Sequence, residues 1–337
     1  MPGVTKLAAL ACGVALLLVP SAVPATQAAQ PSFRVLAFTK TTGYRHDSIP
    51  TALRALRELG AANGIAVEAT EDGSAFTDAR LARYDAVIFL LTTGDVLDGA
   101  QQAAFERYVR GGGGYAGVHS AADTEYEWPW YGELVGAYFR DHPAIQRAAI
   151  DVVARDASPA KLPRRWVRTD EWYNFASSPT GVRVLARLDE LSYDPGGGAM
   201  GADHPIAWAH EEGKGRAWYT GGGHTSEAYA EPLFRAHLLG GVLYAAGYKG
   251  PRVASVAVSL GNRRATVNVR ASGCLRCAGR VRVQVRGRWR VSALRATAGT
   301  LRATTGALPP GRLRLEVVLE DRATGLAATA VRPVTVR

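Results

Sequence analysis

Short apolar runs alternate with helical patterns in the first two thirds of the chain. Four runs have the length of buried strands: 34–38, 65–69, 85–91 and 115–120. Ser48 precedes an amphipathic helix, and Asp98 precedes another helix that Gly111 ends. Strands that alternate with helices predict an α/β fold with a doubly wound parallel sheet. Ligands bind such sheets at the carboxyl ends of the strands.

The pattern then becomes less regular and finally changes to period-two alternation. Further strands are predicted near 148–154, 182–188, 206–210 and 216–219. A last helix is predicted over about 227–246, and the acidic, aromatic stretch 168–175 is interpreted as a loop. Beyond Pro251, alternating strands with Gly and Pro turns predict a small all-β sandwich. The predicted organisation is a signal peptide (1–29), an α/β domain (30–248) and an Arg-rich β-sandwich domain (249–337).

The N-terminus carries an apolar run over residues 7–19, followed by small residues up to Ala29. This run is shorter than the roughly 20 residues that a transmembrane helix needs. Thr26 and Ala28 suit a signal peptidase, so we expect a cleaved secretory signal and a secreted protein with no membrane span after cleavage. Cys12 is interpreted as part of this signal. A buried first helix is the alternative.

The net charge of +10 is unevenly distributed. Residues 250–337 contain 17 arginines, no lysine and three acids, a net charge of +14, whereas the rest of the chain has a net charge of −4. If these arginines share a face, the tail would suit an anionic cell-envelope polymer; otherwise they reflect composition bias alone. Nucleic acid is not expected as a partner, because the chain is interpreted as exported and its basic region has no stacking motif.

The chain has three cysteines, and none lies within the predicted α/β domain. Cys274 and Cys277 lie in a turn between strand-like runs, so a loop disulfide is expected in an oxidising compartment. A structural zinc site in this region would need more ligands than the two cysteines, and no histidine follows His237.

Most of the seven histidines lie next to predicted strands, where a parallel sheet would bring them to one edge. These five are His46, His119, His142, His204 and His224. Imidazoles at such an edge transfer protons near neutral pH or bind metal, whereas a single loop histidine is usually a hydrogen-bonded structural residue. No helical His-Glu-x-x-His motif is present to indicate a particular metal. Binding of a divalent metal therefore stays one alternative, and the sequence does not identify the cofactor.

The segment 117–121 has the form of a nucleophile elbow, in which small neighbours let one side chain project from a strand-to-helix turn. His119 occupies the projecting position. Ser120, the other candidate nucleophile, comes one residue after that position. Asp123 follows closely and is expected to orient an imidazole or to bind a sugar hydroxyl.

Two clusters combine aromatic rings with acids. Trp128, Trp130 and Tyr131 form one, and Glu171, Trp172 and Tyr173 belong to the other, within 168–175. Sugars stack their C–H faces on such rings and hydrogen-bond to carboxylates. The alternative is that the tryptophans fill the space between the sheet and its loops.

Five motifs in order resemble the ThuA-like, or trehalose utilisation, family over residues 33–247: 112–124, 128–131, 169–173, 203–208 and 219–225. The resemblance implies a flavodoxin-like sheet of the class I glutamine amidotransferase-like superfamily. By motif, His119 stands at the amidotransferase cysteine position and His224 at the histidine position. Without a cysteine in this domain, thiolate-dependent glutamine hydrolysis is not expected.

The resemblance implies a role in oligosaccharide or keto-sugar metabolism. We expect a hydrolase or a keto-sugar converting enzyme in which His119 and His224 act as acid and base, and Glu171 or Asp123 orients one of them. The residues expected to bind substrate, or in the case of the histidines a metal, are His46, Trp128, Trp130, His142, Trp172, Tyr173, Asp203 and His204. The alternatives are a saccharide-binding protein without catalysis and a cell-envelope adhesion protein.

Overall fold

A nine-stranded mixed sheet dominates the computed structural model, which describes residues 32–154, 162–297 and 300–337. The predicted signal segment 1–29 lies outside these residues, and so does Cys12. The strands up to residue 220 are β1 (Phe33–Phe38), β2 (Ile65–Thr70), β3 (Ala86–Leu90), β4 (Gly114–Val118), β5 (Phe139–Asp141), β6 (Gln146–Val152), β7 (Arg165–Asp170), β8 (Asn174–Phe175), β9 (Arg183–Asp189), β10 (His204–Glu212) and β11 (Gly215–Thr220). All of them except the β5–β8 pair belong to the large sheet.

The strand order of this sheet is β2-β1-β3-β4-β11-β10-β9-β6-β7. The first five strands are mutually parallel, and their order is that of a flavodoxin-like sheet. The predicted flavodoxin-like doubly wound fold is therefore confirmed. The other four strands form an antiparallel extension. Strands β6, β9 and β10 were predicted as strands, whereas β7 and the antiparallel pairing were not. Because directions alternate in this extension, β7 ends at the same sheet edge as β4 and β11.

The described helices are α1 (Ile49–Asn63), α2 (Asp78–Leu81), α3 (Gly99–Arg110), α4 (Pro129–Val135) and α5 (Pro232–Ala245). Asp98 caps α3 as predicted, because its Oδ1 accepts the N–H groups of Ala100 and Gln101 at 3.0 Å. Ser48 precedes α1 but makes no capping hydrogen bond through its side chain.

Two predicted boundaries were wrong. The last helix begins at Pro232 and not near Glu227, because residues Glu227–Ala230 form a 3₁₀ turn and proline fits the first turn of an α-helix. The stretch 168–175 is not wholly a loop, since its first three residues end strand β7.

The tail forms a separate antiparallel sheet in the order β12-β13-β16-β15-β14-β17-β18. Its strands are β12 (Arg252–Gly261), β13 (Arg264–Ser272), β14 (Cys277–Val285), β15 (Arg288–Thr297), β16 (Thr300–Thr304), β17 (Gly311–Asp321) and β18 (Ala327–Val336). The edge strands β12 and β18 contact each other, so the sheet nearly closes around its own core of valines and leucines. The predicted all-β sandwich is confirmed as a fold.

The described residues belong to one compact unit that contains both sheets, and the division at residue 248 stays a prediction. A disulfide joins Cys274, in the turn before β14, to Cys277, the first residue of that strand. Many tail arginines are exposed, among them Arg280, Arg288, Arg290 and Arg295, whereas Arg282 pairs with Glu316. Among the described residues, no helix has the length and apolar character needed to cross a membrane.

Candidate active site

Four loops at the carboxyl edge of the large sheet bring three histidines and a glutamate together. His46 follows β1, His119 follows β4, His224 follows β11, and Glu171 follows β7. Their ligand-type atoms all lie within 4.8 Å of one another. The predicted convergence of remote histidines at one sheet edge thus exists for His46, His119 and His224, and Glu171 joins them from the antiparallel extension.

Three of these side chains form a nearly equilateral triangle of polar atoms. His119 Nε2 lies 3.1 Å from His224 Nδ1 and 3.2 Å from Glu171 Oε2. His224 Nδ1 lies 3.1 Å from the same Glu171 oxygen. We call His119, His224 and Glu171 the triad.

His119 is fixed by its backbone and by its second ring nitrogen. It begins the 3₁₀ turn after β4 with a φ of 52°, a left-handed conformation like that of a strained elbow. Its Nδ1 lies 2.8 Å from the Gly221 carbonyl oxygen, which can only accept a hydrogen bond. Nδ1 therefore carries a proton, and in the neutral ring the Nε2 lone pair faces the triad. The side chain has no exposed surface.

Glu171 joins the triad to the wall of the site. Its Oε2 contacts His119 and His224, and its Oε1 lies 3.2 Å from His142 Nδ1. Burial alone would raise the pKa of Glu171, but the two triad histidines outweigh burial and hold this pKa well below its ordinary value. Burial would likewise lower the pKa of His224, and the Glu171 carboxylate reverses this and raises it.

His46 is buried beside the triad, with its ring centroid 5.1 Å from that of His119 and 4.9 Å from that of His224. Burial, followed by the charges of the neighbouring histidines, lowers the pKa of His46 to about 3. The ring is therefore neutral at neutral pH. Its Nδ1 has no hydrogen-bond partner among the described residues.

A cleft of about 420 Å³ opens onto this cluster. The residues that line it are Tyr44, His46, Asp123, Phe139, His142, Glu171, Tyr173 and His224. The Tyr173 ring lies 4.1 Å from the His119 ring and 4.3 Å from Phe139, so aromatic faces form one wall. Burial raises the pKa of Asp123, whose Oδ1 accepts a hydrogen bond from Tyr126. Tyr44 and Phe139 were not singled out in the sequence, because one aromatic residue in a loop carries no specific signal.

Several residues predicted to bind substrate lie away from the cleft. Trp128 and Trp130 are buried and pack on each other, and the Trp130 Nε1–H donates to Glu212. Trp172 is fully buried and donates to the Gln146 carbonyl oxygen. These tryptophans fill the interior, which was the alternative interpretation.

Asp203 and His204 also lie outside the lining of the cleft. Asp203 is exposed and pairs with Arg187 at 2.6 Å. His204 is buried, with its Nε2 2.8 Å from the Tyr173 carbonyl oxygen and its Nδ1 2.8 Å from Glu190 Oε1. It thus supports the backbone of a cleft residue without facing the cleft.

A buried ion pair that the sequence analysis missed holds the His224 loop. Asp170 Oδ2 lies 2.6 Å from Arg168 Nη1 and accepts the Gly223 N–H at 2.7 Å. Its Oδ1 accepts the His224 N–H at 3.2 Å. The sequence signal for Asp170 was weak, since an acidic residue next to Glu171 is equally typical of an exposed loop.

Comparison with known proteins agrees with this architecture. The family model described as "ThuA: Trehalose utilisation" matches residues 34–245. The chain belongs to the ThuA family. The matched segment contains the whole triad, the cleft and the Asp170 support, and it ends before the tail sheet. No curated protein matches the sequence.

Two solved structures of ThuA-like proteins are similar to this ThuA-family chain. A putative ThuA-like protein from Bacteroides uniformis is 24% identical, with a TM-score of 0.55 over 67% of this chain and 96% of its own. Another from Parabacteroides merdae is 19% identical, with a TM-score of 0.53 over 64% of this chain and 90% of its own. At these identities the likeness is evidence for the fold.

Proposed function

We propose that this ThuA-family protein is an exported enzyme that acts on an oligosaccharide or keto-sugar in the cleft. The contact of His119, Glu171 and His224 at 3.1–3.2 Å, at the base of an aromatic-walled cleft, is the observation that carries the proposal. The family description, trehalose utilisation, supports a carbohydrate-related role. We also infer that it lacks amidotransferase activity, because residues 30–248 contain no cysteine.

The triad supplies groups for proton transfer. His224 is its most exposed member, with 19% of its side chain exposed, whereas His119 is fully buried. In the metal-free triad His224 is therefore the member placed for proton exchange with substrate, with Glu171 stabilising its charged form and His119 in contact with its ring. This arrangement suits hydrolysis of a glycosidic bond or proton removal beside a keto group.

The walls of the cleft suit a sugar ring. Tyr44, Phe139 and Tyr173 offer aromatic surface for its C–H faces. Asp123 and His142 add polar groups to the lining that bond hydroxyls. A cleft of about 420 Å³ is within the size range of small-ligand sites.

Turnover of an oligosaccharide and keto-sugar panel tests the proposal. His224→Ala and His119→Ala should each lower kcat by at least about 100-fold, the typical contribution of one acid–base group. The matched control is His210→Ala, a histidine six positions beyond His204 on β10 and outside the cleft lining. Circular dichroism checks the fold of each variant. Unchanged rates in folded triad variants would remove the assignment.

A saccharide-binding protein without catalysis is the second candidate. The full burial of His119 favours it, because only part of the triad can meet a ligand. Calorimetry that detects saccharide affinity, with no product after long incubation, would establish binding alone. Product formation by the wild-type chain would eliminate this candidate.

A further inference from the structure

We infer that His119, His224 and Glu171, with His46 as the fourth ligand, bind a divalent transition-metal ion at the base of the cleft. The inference deepens the proposed function and rests on it for the role of the cleft. Four side chains from four separate loops supply three imidazole nitrogens and one carboxylate oxygen.

The spacing of the triad is that of ligands around one ion. Ligand atoms about 2.1 Å from a metal, at angles between octahedral and tetrahedral, lie about 3.0–3.4 Å from one another. The three observed separations are 3.1, 3.1 and 3.2 Å. All three atom pairs therefore have separations expected for ligands of one ion. A linear chain of hydrogen bonds would require only two of the three pairs to be this close.

The orientation of His119 suits ligation. The Gly221 carbonyl oxygen lies 2.8 Å from Nδ1 and accepts the Nδ1–H, so Nε2 is the ring nitrogen available to a metal ion. Nε2 lies 3.2 Å from Glu171 Oε2 and 3.1 Å from His224 Nδ1. The three candidate ligand atoms therefore face one another.

His46 is the independent second observation. It is 5% exposed, lies within 4.8 Å of the triad atoms, and has an Nδ1 without a hydrogen-bond partner among the described residues. A buried imidazole with an unsatisfied nitrogen needs an explanation, since such groups usually find partners. Ligation of a metal beside the triad explains why a fourth imidazole is buried here.

The surroundings resemble the outer shell of a metal site. The Gly221 carbonyl orients His119, and His142 contacts the Glu171 oxygen that faces away from the other two triad residues. Imidazole with carboxylate suits Zn²⁺, Co²⁺, Ni²⁺ or Fe²⁺ better than Mg²⁺ or Ca²⁺. When bound, such an ion polarises a sugar oxygen. With His224 bound to the ion, the proton-transfer role that it has in the metal-free triad would pass to Asp123 and His142, which line the cleft outside the ligand set.

Titration of the full, chelator-stripped chain tests the inference. Zn²⁺ should bind with one equivalent in calorimetry, and Co²⁺ should give visible absorption bands typical of a protein-bound ion. Glu171→Ala and His224→Ala should each weaken Zn²⁺ binding at least 100-fold, and His46→Ala at least 10-fold. His210→Ala should bind as the wild type does. The test uses His224→Ala and not a His119 variant, because His224 is partly exposed and its replacement is less disruptive to folding than replacement of the fully buried His119.

Three results would overturn the inference: no binding of Zn²⁺ or Co²⁺ by the folded chain, binding that the Glu171 and His224 variants leave unchanged, or equal loss in His210→Ala. The proposed function fails separately. Full metal binding without turnover of any sugar would contradict the proposed enzymatic function and support the metal site. Sugar turnover by chelator-stripped protein that binds no metal would support the enzymatic function and contradict the metal site.

Discussion

The Asp170 carboxylate accepts the Gly223 N–H across 2.7 Å, although β7 and β11 are separated by three strands of the sheet. Neighbouring strands lie about 4.8 Å apart, so a flat sheet would hold them about 19 Å from each other. The loop after β11 covers much of this distance, because Gly223 lies three residues beyond the end of β11 and the Gly221 N–H donates to the Ile206 carbonyl oxygen on β10. The contact of this loop with Asp170 holds the next residue, Glu171, against His119 and His224.

Replacing Asp170 by asparagine should destabilise the protein. Asp170 is fully buried, and loss of its charge leaves Arg168 with Glu231 as its remaining acidic partner. We expect the free energy of unfolding to fall by about 3 kcal/mol, as for other broken buried ion pairs, measured by urea denaturation. The control is Asp203→Asn, which removes the exposed pair with Arg187 and should cost under about 1 kcal/mol. Equal losses would contradict the structural role of Asp170.

Gly223→Ala should damage the site through the backbone. Gly223 has a φ of 109°, and an added Cβ would lie 2.9 Å from Tyr229 Oη and 3.0 Å from Phe234 Cζ. We expect a loss of about 2–3 kcal/mol in the free energy of unfolding, together with lower turnover, because His224 follows directly. The matched change is Gly197→Ala, where a Cβ meets nothing within 4 Å. A neutral Gly223→Ala would show that the loop adapts freely.

His237 should make the protein sensitive to acid. Burial, with a smaller effect of Arg168, lowers the pKa of His237 to about 3 in the folded protein, against about 6.5 in the unfolded chain. Between these values the unfolded state binds the extra proton, so stability is lost as the pH falls from 6.5 toward 3.

His237→Gln should remove this contribution. The slope of unfolding free energy against pH should become shallower by up to about 1.4 kcal/mol per pH unit between pH 6 and 4. Urea denaturation at several pH values measures it. A slope identical to that of the wild type would mean that His237 is protonated in the folded protein.

Tyr44→Ala should weaken substrate binding and spare the chemistry. The ring is 64% exposed at the edge of the cleft and lies 4.9 Å from the His46 ring. Loss of about 0.5–1.5 kcal/mol of aromatic contact predicts a 2- to 13-fold rise in KM with kcat unchanged. Leu191→Ala, an exposed side chain outside this cleft, provides the comparison. A fall in kcat alone would instead assign Tyr44 to positioning of His46.

Much of the parallel sheet was predictable, because central strands such as β3 are buried at every position and appear as continuous apolar runs. Strand β7 was not. It alternates exposed and buried positions, but two of its three buried side chains, Arg168 and Asp170, are charged. Hydrophobic periodicity cannot detect a strand whose inner face is an ion pair.

The position of a histidine at the end of a strand does not by itself predict whether the histidine belongs to the site. His119 and His204 both lie at strand ends, yet the former contacts His224 and Glu171 and the latter turns to Glu190 and the Tyr173 carbonyl. The direction of each side chain depends on partners contributed by remote segments. The sequence therefore indicated the edge at which the site forms but not which of the residues there face a ligand.

The antiparallel extension separates the folding of the parallel sheet from the assembly of the cleft. The parallel strands can pair and bury their apolar faces without β7, but Glu171 reaches the histidines only when that edge strand is in register with β6. Local opening of this one pairing would dismantle the reactive cluster while the parallel half stayed folded. Amide exchange should therefore be faster along β7 than along β3, and loss of activity under mild denaturant should precede global unfolding.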